Sequence, residues 1–302
     1  MRYFLVKSKN TGKMERIPAV KEIFERETEI NEMPYYQVIK GEVRLFAQCP
    51  SCKNPVQLIG LYKKTKNNPY AKHTGKNAAG FPPFKHEQYK LCPYRAKKIY
   101  KENEKRTLTK DALALEILTI LKENFDRITY LLKKQFGINF STAFMEKTLE
   151  NYLAMQGYIY SGATLENIPW VLLYLSMNRN LYGQSIRKDS FIYDELKKKK
   201  HGIQFSETES TVKVTGFDCG FAHLGFFFTE HRSEPRDGLL HESISFRITI
   251  ERNRSGITEK LLIKKIVFDH DYFLNLINYE NNEHRNQDLF DLANKHLKGI
   301  LS

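Results

Sequence analysis

The sequence predicts an α+β protein: a small zinc-stapled N-terminal module, a helical centre, and a C-terminal antiparallel sheet with a closing helix. Three observations predict it. Cysteines and histidines gather in a turn-rich stretch between Cys49 and Cys92, apolar residues take helical spacing from Thr109 onward, and β-branched and aromatic runs broken by turn residues fill the last third. At 302 residues the chain is long enough for two domains. We place them at residues 1–106 and 107–302, with a sub-boundary near 197–203.

Short extended runs open the chain. Arg2–Val6, Tyr35–Ile39 and Glu42–Ala47 alternate or cluster apolar residues and are separated by Gly12, Pro34 and Gly41, so they read as a small sheet leading into Cys49. Residues 54–92 are rich in Asn, Pro, Gly and Lys, as in Asn67-Asn68-Pro69 and Gly80-Phe81-Pro82-Pro83. That is turn chemistry and excludes a long helix. A loop of this length inside a compact domain needs something to hold it, and a metal would do so.

The pattern then turns helical. Leu113, Ile117, Ile120, Leu121 and Phe125 fall three and four apart, with Thr107 or Thr109 as N-cap and Asp111 in the first turn. Further helices are predicted over Ser141–Met155 and from about Thr164 to Asn178, the latter holding the single Trp, Trp170. Met155-Gln156-Gly157-Tyr158-Ile159-Tyr160 is similar to the helix-then-strand passage of winged-helix domains. Beyond Lys197–Lys200, a solvated helix end or linker, strands are predicted at Thr211–Thr215, Phe221–Thr229, Ser243–Ile250 and Leu261–Phe268. Turns fall at Glu234–Gly238 and Asn253–Gly256, and Asp288–Leu297 closes the chain as a helix.

Charge is distributed unevenly. Residues 1–110 hold 24 Lys and Arg against 10 Glu, a net of +14, whereas the whole chain carries +13, so all the excess is N-terminal. Between Lys53 and Arg106 there are 14 basic and 3 acidic residues. A local field of this sign attracts polyanions. The expected nucleic-acid contacts are Lys63, Lys64, Lys66, Lys72, Arg95, Lys97, Lys98 and Lys101, with Tyr62, Tyr70, Phe81, Phe84 and Tyr94 interleaved as stacking platforms or as core. No run reaches the roughly 20 apolar residues of a membrane span, and Met1–Val6 leads into charge and not a signal core, so a cytoplasmic protein is expected.

In a reducing compartment a close pair among the four cysteines reads as a metal site and not a disulfide. Cys-x2-Cys places two thiolates on one tight turn, at two corners of a tetrahedron. Cys49-Pro50-Ser51-Cys52 supplies that turn, Cys92 the third ligand, and His73 or His86 the fourth, with His73 preferred. Three thiolates and an imidazole fill all four positions, so one structural zinc per chain is expected, with no place for a catalytic water. Cys219 is read as a buried small hydrophobe.

The run Cys49-Pro50-Ser51-Cys52, a basic stretch, Asn68-Pro69-Tyr70-Ala71-Lys72-His73 and finally Cys92-Pro93-Tyr94 resembles the zinc-finger segment preceding the nuclease-like domain of bacterial competence proteins of the CoiA type. It covers about residues 45–95. The resemblance implies DNA handling; the family's nuclease residues have no match here, and the distant Cys92 departs from its pattern.

Acidic and histidine residues suited to hydrolytic chemistry stand at Asp218, His223, His231, Glu242 and Asp269-His270-Asp271, and Asp218 with Glu251 would be a carboxylate pair for a metal-dependent nuclease. Their spacing selects no constellation. No phosphate-cradling Gly-rich loop, Gly-x-Ser-x-Gly or His-Glu-x-x-His occurs. The sequence therefore reads as a zinc-containing nucleic-acid-binding accessory protein, bacterial or from a mobile element, serving defence or DNA transfer, with DNA favoured over RNA. Its rivals are a nuclease with an active site in residues 203–300 and an adaptor that binds a protein partner.

Overall fold

The computed structural model of the chain describes residues 1–62, 69–90, 92–95, 98–106, 112–176, 179–198, 201–236, 239–278 and 284–301. It is a mixed α+β structure that divides into two compact units, one of residues 1–98 with 233–241 and one of 99–232 with 242–302.

The first unit is a sheet of short antiparallel strands. It comprises β1 (Tyr3–Lys7), β2 (Met14–Pro18), β3 (Tyr36–Ile39), β4 (Glu42–Gln48), β5 (Pro55–Ile59) and β6 (Tyr70–His73), with α1 (Lys21–Glu27) and α2 (His86–Lys90) between them. The order is β2-β1-β4-β5-β6, with β3 beside β4. Sequence reasoning placed β1, β3 and β4 to within a residue or two and missed β2, α1, β5, β6 and α2. Pro55–Ile59 and Tyr70–His73 are short runs inside polar, turn-rich sequence, and pairing with a neighbour is what makes them strands. Phe4, Val6, Phe24, Leu45, Val56 and Leu58 form a buried core of their own. Tyr70 and Tyr94 belong to the buried set, whereas Tyr62 is exposed.

The second unit is built on α3 (Ala112–Phe136), 25 residues long and packed against α5 (Ile168–Tyr174), α7 (His270–Asn278) and α8 (Gln287–Leu301). Its direction breaks at Asn124, which has φ −132°. The N-cap and first-turn residues assigned by sequence (Thr107, Thr109, Asp111) lie outside the described residues. α4 (Thr142–Ala154) begins where expected, because the Ser141 hydroxyl accepts a hydrogen bond from Phe144 N–H at 3.2 Å. α5 is shorter than predicted. Asn167 Oδ1 accepts from Thr164 N–H at 2.8 Å, which folds Thr164–Asn167 into a turn, and the helix starts only after it.

The helix-then-strand similarity ends at Gly157: residues Gly157–Ile159 form a 3-10 turn and not a strand, packed so closely on Tyr152 that a Cβ on Gly157 would sit 2.2 Å from that ring.

The C-terminal strands are antiparallel, as predicted. A long hairpin of β12 (Ala222–Arg236) and β13 (Leu239–Arg252) is flanked by β14 (Thr258–Val267), and a three-stranded sheet pairs β10 (Ile203–Glu207), β11 (Thr211–Phe217) and β9 (Ser185–Arg187). The remaining elements are β7 (Lys98–Ile99), β8 (Arg179–Asn180) and α6 (Phe191–Leu196). Lys197 and Lys198 pair with Asp194 and Glu195 at the end of α6. The hairpin strands run several residues beyond their predicted limits. Ladder pairing carries polar residues that local propensity would assign to loops. Leu224, Phe226, Phe246 and Ile248 pack this sheet onto the helical layer.

Candidate metal centre

β4 leads into the sequence Cys49-Pro50-Ser51-Cys52, and the turn that follows returns the chain as β5. Cys49 N–H donates to Asn54 C=O at 2.9 Å and Lys53 N–H to Cys49 C=O at 3.1 Å. Lys53 takes φ +58°, the left-handed region. The two thiols thus sit on one tight turn, both buried. β6, next to β5, ends on His73 and brings its imidazole alongside. Cys92 arrives from the turn after α2, where its N–H donates to Tyr89 C=O at 3.1 Å.

The four donor atoms lie within 4.8 Å of one another. Cys49 Sγ is 3.6 Å from Cys92 Sγ, Cys52 Sγ is 3.2 Å from His73 Nε2, and Cys92 Sγ is 3.7 Å from the same nitrogen. Bonds of ~2.3 Å to sulfur and ~2.0 Å to nitrogen about a tetrahedral ion imply edges of roughly 3.8 and 3.5 Å. The observed separations are close to those edges, so the donor set fits such a metal.

The protein groups by themselves disfavour three thiolates together. Burial pushes the Cys49 thiol well up, with the neighbouring Cys52 and Cys92 adding to it, and burial likewise raises Cys92. Cys52 moves the other way, because hydrogen bonds from Cys49 and Cys92 favour its thiolate and His73 adds to the effect. A divalent cation would supply the charge needed to ionise all three.

Partners around the donors fix them. Asn54, itself buried, donates from Nδ2 to Cys52 Sγ at 3.4 Å and to Lys85 C=O at 3.0 Å, while its Oδ1 accepts from Lys85 N–H at 2.6 Å. This one side chain ties the Cys49–Cys52 turn to the segment before α2. Tyr89 packs edge-on to His73 with ring centroids 5.0 Å apart. Such second partners orient metal ligands. Asn54 was not identified from the sequence, and its place two residues after the second cysteine is the only signal that could have found it.

His86, the alternative fourth ligand, is exposed at the start of α2 and packs edge-on to Phe84; it is not among the four converging donors. His73→Ala is therefore expected to abolish metal retention and His86→Ala to leave it within about a tenth of the parent, since only a ligand's loss opens the coordination sphere. Metal per chain by elemental analysis checks both.

The basic residues singled out by sequence divide. Lys72 is exposed on β6 and Arg95 is half-buried three residues after Cys92, both in the first unit, while Lys101 is exposed in the second. Lys63, Lys64, Lys66 and Lys97 lie outside the described residues, as does the side chain of Lys98.

Cys219 is exposed in the turn between β11 and β12, with Gly220 at φ +83°, which corrects its reading as a buried residue. The apolar faces of the two strands are used up before the turn begins. Asp218 accepts from Gln204 of β10 at 3.1 Å and Glu251 from Gly256 N–H in the turn after β13 at 3.0 Å, so each carboxylate of the suggested nuclease pair has its own separate partner.

Three other suggested residues do meet. Glu242 Oε1 accepts from His231 Nε2 at 3.0 Å and from Asn167 Nδ2 at 2.9 Å. His270 Nε2 lies 3.0 Å from Glu242 Oε2. His231 Nδ1 lies 3.0 Å from Tyr160 Oη. His231 and Glu242 are closed to solvent at 0% and 2% exposure, which leaves no room for a substrate between them. Gly162 lies so close that a Cβ there would meet His231 Nδ1 at 2.8 Å. The cluster fastens the β12–β13 hairpin to the segment before α5 and to α7.

No protein-family model, curated protein sequence or solved structure matches the chain. Among the described residues no helix is long and apolar enough to cross a membrane.

Proposed function

We propose that Cys49, Cys52, His73 and Cys92 hold one structural zinc ion, and that the module it staples contacts nucleic acid as an accessory protein, DNA before RNA. The observation that carries the metal assignment is the convergence of three thiols and one imidazole within 4.8 Å. Thiolate and imidazole in a closed four-donor set suit zinc, and with four protein ligands there is no open position for catalysis. The ion's work is folding: it joins the β4–β5 turn, the end of β6 and the turn after α2, segments far apart in sequence.

The nucleic-acid half rests on charge. The net +14 of residues 1–110 concentrates around this module, and lysine and arginine gain affinity for phosphates by displacing condensed counterions. Against a nuclease stand the closed Glu242 cluster and the separate hydrogen bonds of Asp218 with Gln204 and of Glu251 with Gly256.

Replacing Lys63, Lys64 and Lys66 together with Glu should weaken binding uniformly across sequences and lower the salt slope by about one per lost phosphate contact, with zinc content intact. Gel shifts on single- and double-stranded DNA and RNA across a salt series, with and without magnesium, provide the measurement. Binding by the triple variant as tight as the parent's at about 0.1 M salt would remove this stripe as the contact surface. Magnesium-dependent cleavage would revive the nuclease.

A further inference from the structure

We propose that the cleft where β4 parts from β5 in the first unit takes one unpaired nucleotide of a single-stranded nucleic acid. The proposal rests on the nucleic-acid reading above and narrows it to a strand state and a site.

The cleft follows from strand register. β4 and β5 pair from Gln48↔Pro55 to Leu45↔Leu58, where the ladder stops. β4 continues for three more residues, Glu42–Arg44, paired only with β3 on its other side, while β5 runs on to Ile59 beside β6. The two strands splay, and a cavity of about 640 Å³ opens between them. That volume is within the ordinary range of roughly 300–1,000 Å³ for small-molecule sites. An unpaired base with its sugar and phosphate fits such a space, whereas a stacked duplex offers nothing to insert into it.

The lining has the chemistry of a nucleotide site. Leu45 and Leu58, both buried, give it an apolar floor, and Tyr36 and Tyr62 are joined through their hydroxyls at 2.7 Å along its wall. Base faces gain from such contacts without regard to sequence. Arg44 and Lys72 bring the cations. Arg44 has Glu42 as an ion-pair partner at a long 3.7 Å, and among the described residues Lys72 has no ion pair. Two cations lightly countered on an apolar cleft, in a unit whose sequence is strongly basic, complement a phosphate and not an acidic or neutral backbone alone. The edge of β4 at Glu42–Arg44 lacks a strand on this side, so its peptide groups are placed to meet the hydrogen-bonding edge of a base.

The test is fluorescence anisotropy of the full chain with a labelled thymidine oligonucleotide of about 20 nucleotides and a duplex of equal length, a site size adequate for one such module. Two variants probe the cleft: Arg44→Glu with Lys72→Glu, which reverses its charge, and Val43→Trp, which fills it from an exposed position. Both should weaken single-strand binding by about tenfold or more and duplex binding by under about threefold, with zinc content and thermal midpoint unchanged, since the loss is stacking and phosphate contact at this cleft. Single-strand binding as tight as the parent's in both folded variants would overturn the cleft while leaving the nucleic-acid reading standing. A parent that retains neither oligonucleotide would overturn both. Binding of an acidic peptide that Val43→Trp abolishes, with oligonucleotide affinity untouched, would reassign the cleft to protein.

Discussion

Cys52→Ser is expected to release the metal, to below half an equivalent from one per chain, and to loosen the first unit selectively. Structural zinc contributes on the order of 10 kcal/mol to the folding of small modules, because the donor set does not exist in the unfolded chain. Here the unit also has an apolar core around Phe4, Phe24, Leu45 and Val56, so the loss should be partial unfolding and not collapse of the whole chain. A cost of about 2 kcal/mol or more would lower the unit's midpoint by roughly 10 °C at a size near 100 residues. Elemental analysis and calorimetry read the two effects separately. An unchanged midpoint would end the structural assignment even if zinc were bound. Chelator treatment of the parent should reproduce the variant, since the same four donors lose the same ion.

Glu242→Ala should be comparably damaging in the second unit. The carboxylate faces His231, His270 and Asn167 from a position closed to water. Truncating one member of a buried charged cluster costs about 3–5 kcal/mol, chiefly because its partners stay buried without it. Chemical denaturation gives the number, and a loss below about 1 kcal/mol would mean the partners find water or new bonds.

The pH dependence has a defined sign. Burial alone would push the Glu242 carboxyl up; the contacts from His231 and His270 outweigh it and hold it down at about 2. Its stabilisation is therefore complete above the unfolded value near 4.5 and lost as pH falls toward 2. For His270 burial works against the charge, but Glu242 prevails and raises it above its ordinary 6.5. That contribution is complete below 6.5 and lost as pH rises through the raised value. The network is strongest between those limits, and Glu242→Ala should flatten both flanks of a stability–pH profile.

What was legible in the sequence follows from how far apart the determining groups lie. Cys49 and Cys52 are three positions apart, and the thiol pair could be read as a metal turn from spacing alone. Ser141 caps α4 through a bond to Phe144, again three positions away. The exposure of Cys219 was misread because a cysteine's burial depends on where its turn falls, which composition does not encode. Similarly, Gly157 looked like a helix stop before a strand, and the chain there forms a 3-10 turn packed against the Tyr152 ring instead.

By itself, then, the sequence determined the α+β class, the antiparallel C-terminal strands, the concentration of positive charge in the first third and the candidate metal donors. These depend on local periodicity, residue type and short spacing, which any unfolded copy of the chain already carries. Tertiary structure alone decided that His73 and not His86 joins the three cysteines, because β6 pairs with β5 through Val56↔His73 and delivers that imidazole to the turn. It alone assembled Glu242 with His231 and His270 and opened the cleft between β4 and β5. Each of these needs residues tens of positions apart to meet, and the strand pairing and core packing that bring them together are properties of the folded chain.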